Sequence, residues 1–250
     1  MNSPLRTRFH RIALAAGLIL IGTAAQAHQA WIEQNAQGAK FYFGEFGENL
    51  REASPGLLDK FTLPTAHRVS SKGKEAVTVE KTANGFAIAA RAAKGESLIA
   101  EETAYPSWEK KQAGASQRGV YMPAARLVTD LREQAPQLTL DLVPTGRNEK
   151  GQVEVQAFFK GQPLPKAKVV VVTAAGWSQE HHTDEAGKLT VATPWRGTYV
   201  LELAHTNKAG GQRGEEKYDF ADHVTSLTLT QPAGLVALPA PAPAAPAKAN

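Results

Sequence analysis

Gly197-Thr198-Tyr199-Val200-Leu201-Glu202-Leu203-Ala204-His205 is the stretch that decides the fold. Tyr199, Leu201 and Leu203 recur at every second residue, the period of a strand with two unlike faces, and no 3.6-residue repeat fits. Val224 to Thr230 alternates in the same way. Upstream, Leu138-Thr139-Leu140-Asp141-Leu142 and Val153-Glu154-Val155-Gln156-Ala157 alternate as well, and Lys168 to Thr173 is a β-branched run of the kind found in buried strands. Gly161-Gln162-Pro163 and Thr183-Asp184-Glu185-Ala186-Gly187-Lys188 supply turns, the second leading into Leu189-Thr190-Val191. Strands at this spacing predict an antiparallel β-sandwich of immunoglobulin-like or transthyretin-like type over residues 135–231.

Working toward the N-terminus, residues 28–134 read as a second β-rich unit, so the chain as a whole reads as all-β. Phe41-Tyr42-Phe43 and Phe61-Thr62-Leu63 look like short strands, the latter ended by Pro64. Val77 to Val79 and Phe86 to Ile88 flank Asn84-Gly85, a dipeptide that tolerates positive φ and favours a tight hairpin. Ser97 to Thr103 is a further strand. Tyr105 to Val128, broken by Pro106, Gly114, Gly119 and Pro123, reads as a long ordered loop whose aromatics Tyr105, Trp108 and Tyr121 either pin it down or form a ligand platform. After Gln231 the composition turns to proline and alanine, and residues 232–250 are expected to be a disordered tail.

Residues 1–27 have the layout of a cleavable signal: Arg6, Arg8 and Arg11, an apolar run from Ile12 to Ile21, then Ala25-Gln26-Ala27. Cleavage after Ala27 would leave 223 residues and make His28 the first of them. No later segment approaches the ~18 apolar residues needed to span a bilayer, so the expectation is a periplasmic protein with no membrane insertion once the signal is gone. The whole chain carries a formal charge of +4, but the signal holds three arginines and no acid, which leaves the remainder near +1 and removes the case for nucleic acid. The absence of cysteine excludes disulfides, thiolate metal sites and thiol nucleophiles. There is no G-x-S-x-G elbow, phosphate-binding glycine loop or H-E-x-x-H pair, so no catalytic residue is assigned and the chain is not read as an enzyme.

Candidate chemistry therefore rests on histidine. His205 continues the Tyr199, Leu201, Leu203 face, and His223 precedes Thr225, Leu227 and Leu229 by the same count. If these consecutive strands pair antiparallel, the two imidazoles are neighbours on one face, with Cβ atoms roughly 4.5 to 5.5 Å apart. The competing reading has each histidine at the core edge, bonded to backbone or Asp222. A mature N-terminal His28 adds an α-amino nitrogen and its own imidazole Nδ1, which together close a chelate ring. His28, His205 and His223 are thus the expected metal ligands, a nitrogen-rich set suited to a divalent ion such as Ni(II), Co(II), Cu(II) or Zn(II). With Met122 the single thioether after the signal, Cu(I) transport through thioethers is not expected. His181 and His182, being adjacent, should point to opposite faces of a strand, and His67 should lie at the surface.

Ala27-His28-Gln29-Ala30-Trp31-Ile32, Tyr105-Pro106-Ser107-Trp108, Tyr121-Met122-Pro123, and the Thr183 to Gly187 turn leading to Gly197-Thr198-Tyr199 and His205 resemble a family of NikM-like periplasmic proteins, nickel and cobalt uptake accessory factors. The resemblance implies a divalent transition metal (nickel, cobalt or copper), a metal-uptake transporter component as partner, and a C-terminal β-sandwich similar to carboxypeptidase-regulatory modules. Two other readings stand beside it: a non-enzymatic protein- or glycan-interaction module with no metal site, and a copper oxygenase built on the same nitrogens.

Overall fold

The deciding stretch lies in the interior of the largest sheet. A computed structural model describes residues 28–112, 114–149 and 151–246; the signal segment and the last four residues lie outside the described residues. The strands of the first half are β1 (Gln29–Asn35), β2 (Gly38–Glu45), β3 (Leu50–Arg51), β4 (Pro64–Ser70), β5 (Gly73–Val77), β6 (Val79–Thr82), β7 (Gly85–Ile88), β8 (Ser97–Glu102), β9 (Trp108–Gln112) and β10 (Ala115–Val128). Those of the second half are β11 (Leu140–Glu149), β12 (Gln152–Phe159), β13 (Gln162–Pro163), β14 (Lys168–Thr173), β15 (Ser178–His182), β16 (Lys188–Ala192), β17 (Gly197–Asn207), β18 (Gly211–Arg213), β19 (Glu216–Tyr218) and β20 (Phe220–Gln231). The fold is all-β and sandwich-type; among the described residues the helical content is one 3-10 turn, Leu57–Lys60. No helix there is long and apolar enough to cross a membrane.

One nine-stranded sheet runs in the order β15-β14-β17-β20-β10-β8-β4-β5, with β9 on β10. Every pairing in it is antiparallel except that of β10 with β20. That parallel seam joins the two predicted units into one sheet. Two smaller sheets cover it. β1, β2, β3, β6 and β7 pack on one face, where Ile32, Phe41 and Phe86 meet Leu98, Ala100, Tyr121 and Ala125. β11, β12, β13 and β16 pack where Leu142, Val153 and Val191 meet Val171, Leu201, Leu203 and Leu227. Because successive strand residues alternate in direction, these two cores lie on opposite faces of the shared sheet.

Three expectations are corrected. Tyr105 to Val128 is not a loop: it holds β9 and the 14-residue β10, joined by a hairpin at Gly114, whose φ of +84° suits glycine. Pro123, which argued against a strand, stands one residue before the ladder with β8 begins at Ala124, so its missing N–H leaves no gap in that ladder. Phe61 to Leu63 is not a strand; Phe61 is a core residue beside Phe43 and Phe86, and Pro64 opens β4 rather than ending a run. The Pro-Ala segment, expected to be disordered, is placed along the surface through residue 246: Leu235 bridges Trp195, and Ala244 bridges Leu50. There Asn49 Nδ2 donates to the Pro241 carbonyl at 2.9 Å.

Candidate functional site

His28 precedes the first residue of β1, and the hairpin register that pairs Gln29 with Gly44 sets it beside Glu45. Glu52, just past β3, arrives from the other side of β2: its backbone N–H donates to the Phe43 carbonyl. The imidazole is therefore flanked by two carboxylates. Nε2 lies 2.6 Å from Glu52 Oε1 and Nδ1 lies 3.4 Å from Glu45 Oε1. A carboxylate only accepts, so Nε2 donates to Glu52 Oε1, and Nδ1 is the ring nitrogen nearest Glu45. Tyr121 O–H donates to the His28 carbonyl at 3.0 Å, and the Phe43 ring packs 5.3 Å from the imidazole. Glu202 on β17 adds to this acidic surround; burial first, and then the charge of Glu45, push its carboxyl up to about 7.

A cavity of about 230 Å³ opens beside His28, lined by Phe43, Leu57, Lys60, Tyr105, Trp108 and Tyr121. The three aromatics singled out in the sequence do converge, and Tyr105 and Tyr121 meet edge to face at 5.0 Å. Burial pushes the Tyr105 hydroxyl up to about 12, with Glu52 adding to the shift, and burial likewise raises Tyr121.

His205 and His223 are direct cross-strand partners between β17 and β20. The strand-phase expectation is met in register and in face. Phe159, at the end of β12, packs on both rings, with centroids 4.5 Å from His205 and 5.2 Å from His223. His223 is 9% exposed. Burial, with smaller contributions from His205 and Lys160 against an opposing one from Asp222, lowers its pKa to about 4, so the ring is neutral at pH 7. His205 is lowered by burial alone.

The expected three-histidine site does not form. Tyr121, which holds His28, belongs to the same core as Val224, whereas His223 is one residue out of phase with Val224 and stands on the face that carries Leu203 and Leu227. The central sheet therefore separates His28 from the histidine pair. Asp222 follows the same rule: it points away from His223 and accepts from Thr206 Oγ1 at 2.6 Å. Of the other histidines, His181 and His182 alternate on edge strand β15, and His67 is half-buried on β4 between Ala76 and Ile99. Among the described residues, no three His, Asp or Glu side chains are grouped so as to hold a metal ion.

Sequence reasoning missed Glu45, Glu52 and Glu202. Glu45 was within reach, since counting back through a hairpin turning at Ala36-Gln37 sets it opposite residue 28. Glu52 and Glu202 depend on contacts that no local pattern announces. No protein-family model matches the chain, and no curated protein matches it.

Proposed function

We propose that this chain is an exported, non-enzymatic accessory protein that holds a divalent transition ion, nickel, cobalt or copper, at His28 for delivery to a metal-uptake transporter. The observation that carries the reading is the 3.4 Å approach of His28 Nδ1 to Glu45 Oε1 while Nε2 is tied to Glu52. Nδ1 and Glu45 Oε1 are thereby placed where both could ligate one cation. Their spacing is near the roughly 3 Å expected of adjacent ligands that each lie about 2.0 to 2.2 Å from one ion. Tying the distal ring nitrogen to a carboxylate is what outer-shell partners of metal-bound histidines do, fixing the tautomer and ring orientation. Cleavage after Ala27 would add the α-amino nitrogen as a third donor. The donor set is two nitrogens and a carboxylate oxygen, which suits these metals.

Calorimetric titration of the chain beginning at His28 tests this. The expected result is one Ni(II), Co(II), Cu(II) or Zn(II) per chain, weakened roughly tenfold or more by one extra residue ahead of His28, and again by Glu45→Gln, since even outer-shell partners are worth that much. Unchanged affinity in both forms overturns the reading. The aromatic cavity beside His28 favours one alternative, an interaction module that seats a glycan or an apolar side chain against Tyr105 and Trp108. In that case Trp108→Ala abolishes ligand binding and Glu45→Gln leaves it intact.

A further inference from the structure

The parallel seam has a chemical consequence on the face away from His28. In the β10–β20 ladder Met122 is the cross-strand partner of His223, and in the β17–β20 ladder His223 is the partner of His205. Neighbouring strands lie about 4.8 Å apart, and partners across a ladder point to the same face. One thioether and two imidazoles therefore stand in a row across three adjacent strands. Among the described residues, no hydrogen bond or ion pair reaches the ring nitrogens of His205 or His223; their neighbour is the Phe159 ring. Met122 and His223 line a common cavity of about 300 Å³, with Lys160 at its wall.

We infer that Met122, His223 and His205 form a three-donor site for a soft monovalent metal ion, Cu(I) or Ag(I). All three donors are uncharged. Thioether sulfur and neutral imidazole favour soft ions, and hard divalent ions prefer oxygen. The Lys160 ammonium, close enough to act on His223, opposes a doubly charged ion more than a singly charged one. Of the acids at the cavity, Glu102 accepts from the Leu63 and Ala104 N–H groups, while Glu101, the ladder partner of Ala124, lines the same cavity but stands outside the row of His205, His223 and Met122. Phe159 closes one side of the imidazole pair, and the Lys160 ammonium lies over its ring, 5.3 Å from the centroid. One thioether aligned with two imidazoles would complete a three-coordinate set.

The site shares no residue with the His28 centre, so the two are tested apart. The chain beginning at Ala27, in which the His28 amine is blocked, retains Met122 as its single methionine. Labelled with methyl-¹³C methionine and ¹⁵N histidine and titrated with Ag(I) in chloride-free buffer, it should shift the single methyl resonance and the ring nitrogens of His205 and His223, with saturation at one ion per chain. Met122→Leu, which keeps volume and apolar character, should weaken Ag(I) roughly tenfold or more, and His223→Gln should weaken it further. Near-ultraviolet circular dichroism checks that both variants remain folded. The inference is overturned if Ag(I) leaves the methyl resonance unmoved, if Met122→Leu binds as tightly as the parent, or if Zn(II) occupies the same three donors with equal affinity.

Discussion

The two faces of the central sheet keep their imidazoles in opposite electrostatic company. On one face His28 is answered by Glu52 and Glu45, with Glu202 close behind. On the other, His205 and His223 have an aromatic ring, a thioether and a lysine for neighbours. The strands are shared, so the contrast comes from what each smaller sheet contributes. β2 and the turn after β3 bring carboxylates, whereas the end of β12 brings Phe159 and Lys160. One backbone thus supports an anionic setting on one face and an uncharged one on the other, and the two proposed sites would select different ions.

The largest expected effect tests whether the second face is as dry as this contrast requires. It carries one full charge pair, Arg126 and Asp141, both completely buried. Arg126 Nε donates to Asp141 Oδ1 at 3.0 Å and Nη2 donates to Oδ2 at 2.6 Å, and Oδ2 also accepts from the Gln137 and Leu138 N–H groups. Nη1 donates to Ser97 Oγ and Gln134 Oε1. The pair joins β10 to β11. Asp141→Ala strands a buried guanidinium and should lower stability by about 3 to 5 kcal/mol, while Arg126→Leu with Asp141→Leu should cost far less. Denaturant unfolding measures both. A cost under about 1 kcal/mol for Asp141→Ala would mean that water reaches this face, and the contrast would collapse.

The sequence disclosed the strands whose apolar residues alternate, together with the register of β17 on β20. Only the short hairpin of β18 and β19 separates those two strands, and only one antiparallel phase buries Tyr199, Leu201 and Leu203. It also disclosed the hairpin at Asn84-Gly85. What stayed hidden is the seam. β10 contains Gly119 and Pro123, residues that argue against strands, and its parallel pairing joins segments about a hundred residues apart, so no local pattern could place Met122 beside His223. The sheet itself was hidden for the same reason. Two units read separately gave no hint that residue 28 and residue 223 would lie on opposite sides of one layer, and this is why the three-histidine site was expected and is absent.

A second prediction sets the faces against each other through pH. Glu202, raised from 4.5 to about 7, holds a proton in the folded chain that the unfolded chain has lost, so its contribution to stability falls as pH rises from about 4.5 to 7. His223, lowered from 6.5 to about 4, excludes a proton that the unfolded chain takes up, so its contribution falls as pH drops through that window. The two slopes oppose. Glu202→Gln should raise stability at pH 8 by about 2 kcal/mol, have little effect at pH 4, and leave a chain whose melting temperature climbs from pH 4 to 6.5. His223→Gln should leave the reverse slope. Melting curves recorded across this range in metal-free buffer settle it, and identical slopes in both variants would show that the faces do not differ in this way.

The smallest effect separates holding the fold from holding the metal. Tyr121 O–H donates to the His28 carbonyl across the base of the aromatic cavity, and the ring remains packed against Phe43 and Tyr105 without that hydroxyl. Tyr121→Phe removes one neutral hydrogen bond and should cost about 1 kcal/mol in denaturant unfolding. Its effect on divalent binding should exceed that figure, because the carbonyl it releases belongs to the residue whose amine and Nδ1 must close one chelate ring. Ag(I) binding should be untouched, since Met122 points to the other face from the adjacent position in the chain. If Tyr121→Phe instead weakens both ions alike, the sheet transmits strain between its faces and they do not act as independent sites; if it weakens neither, the approach of His28 to Glu45 does not depend on where β1 begins.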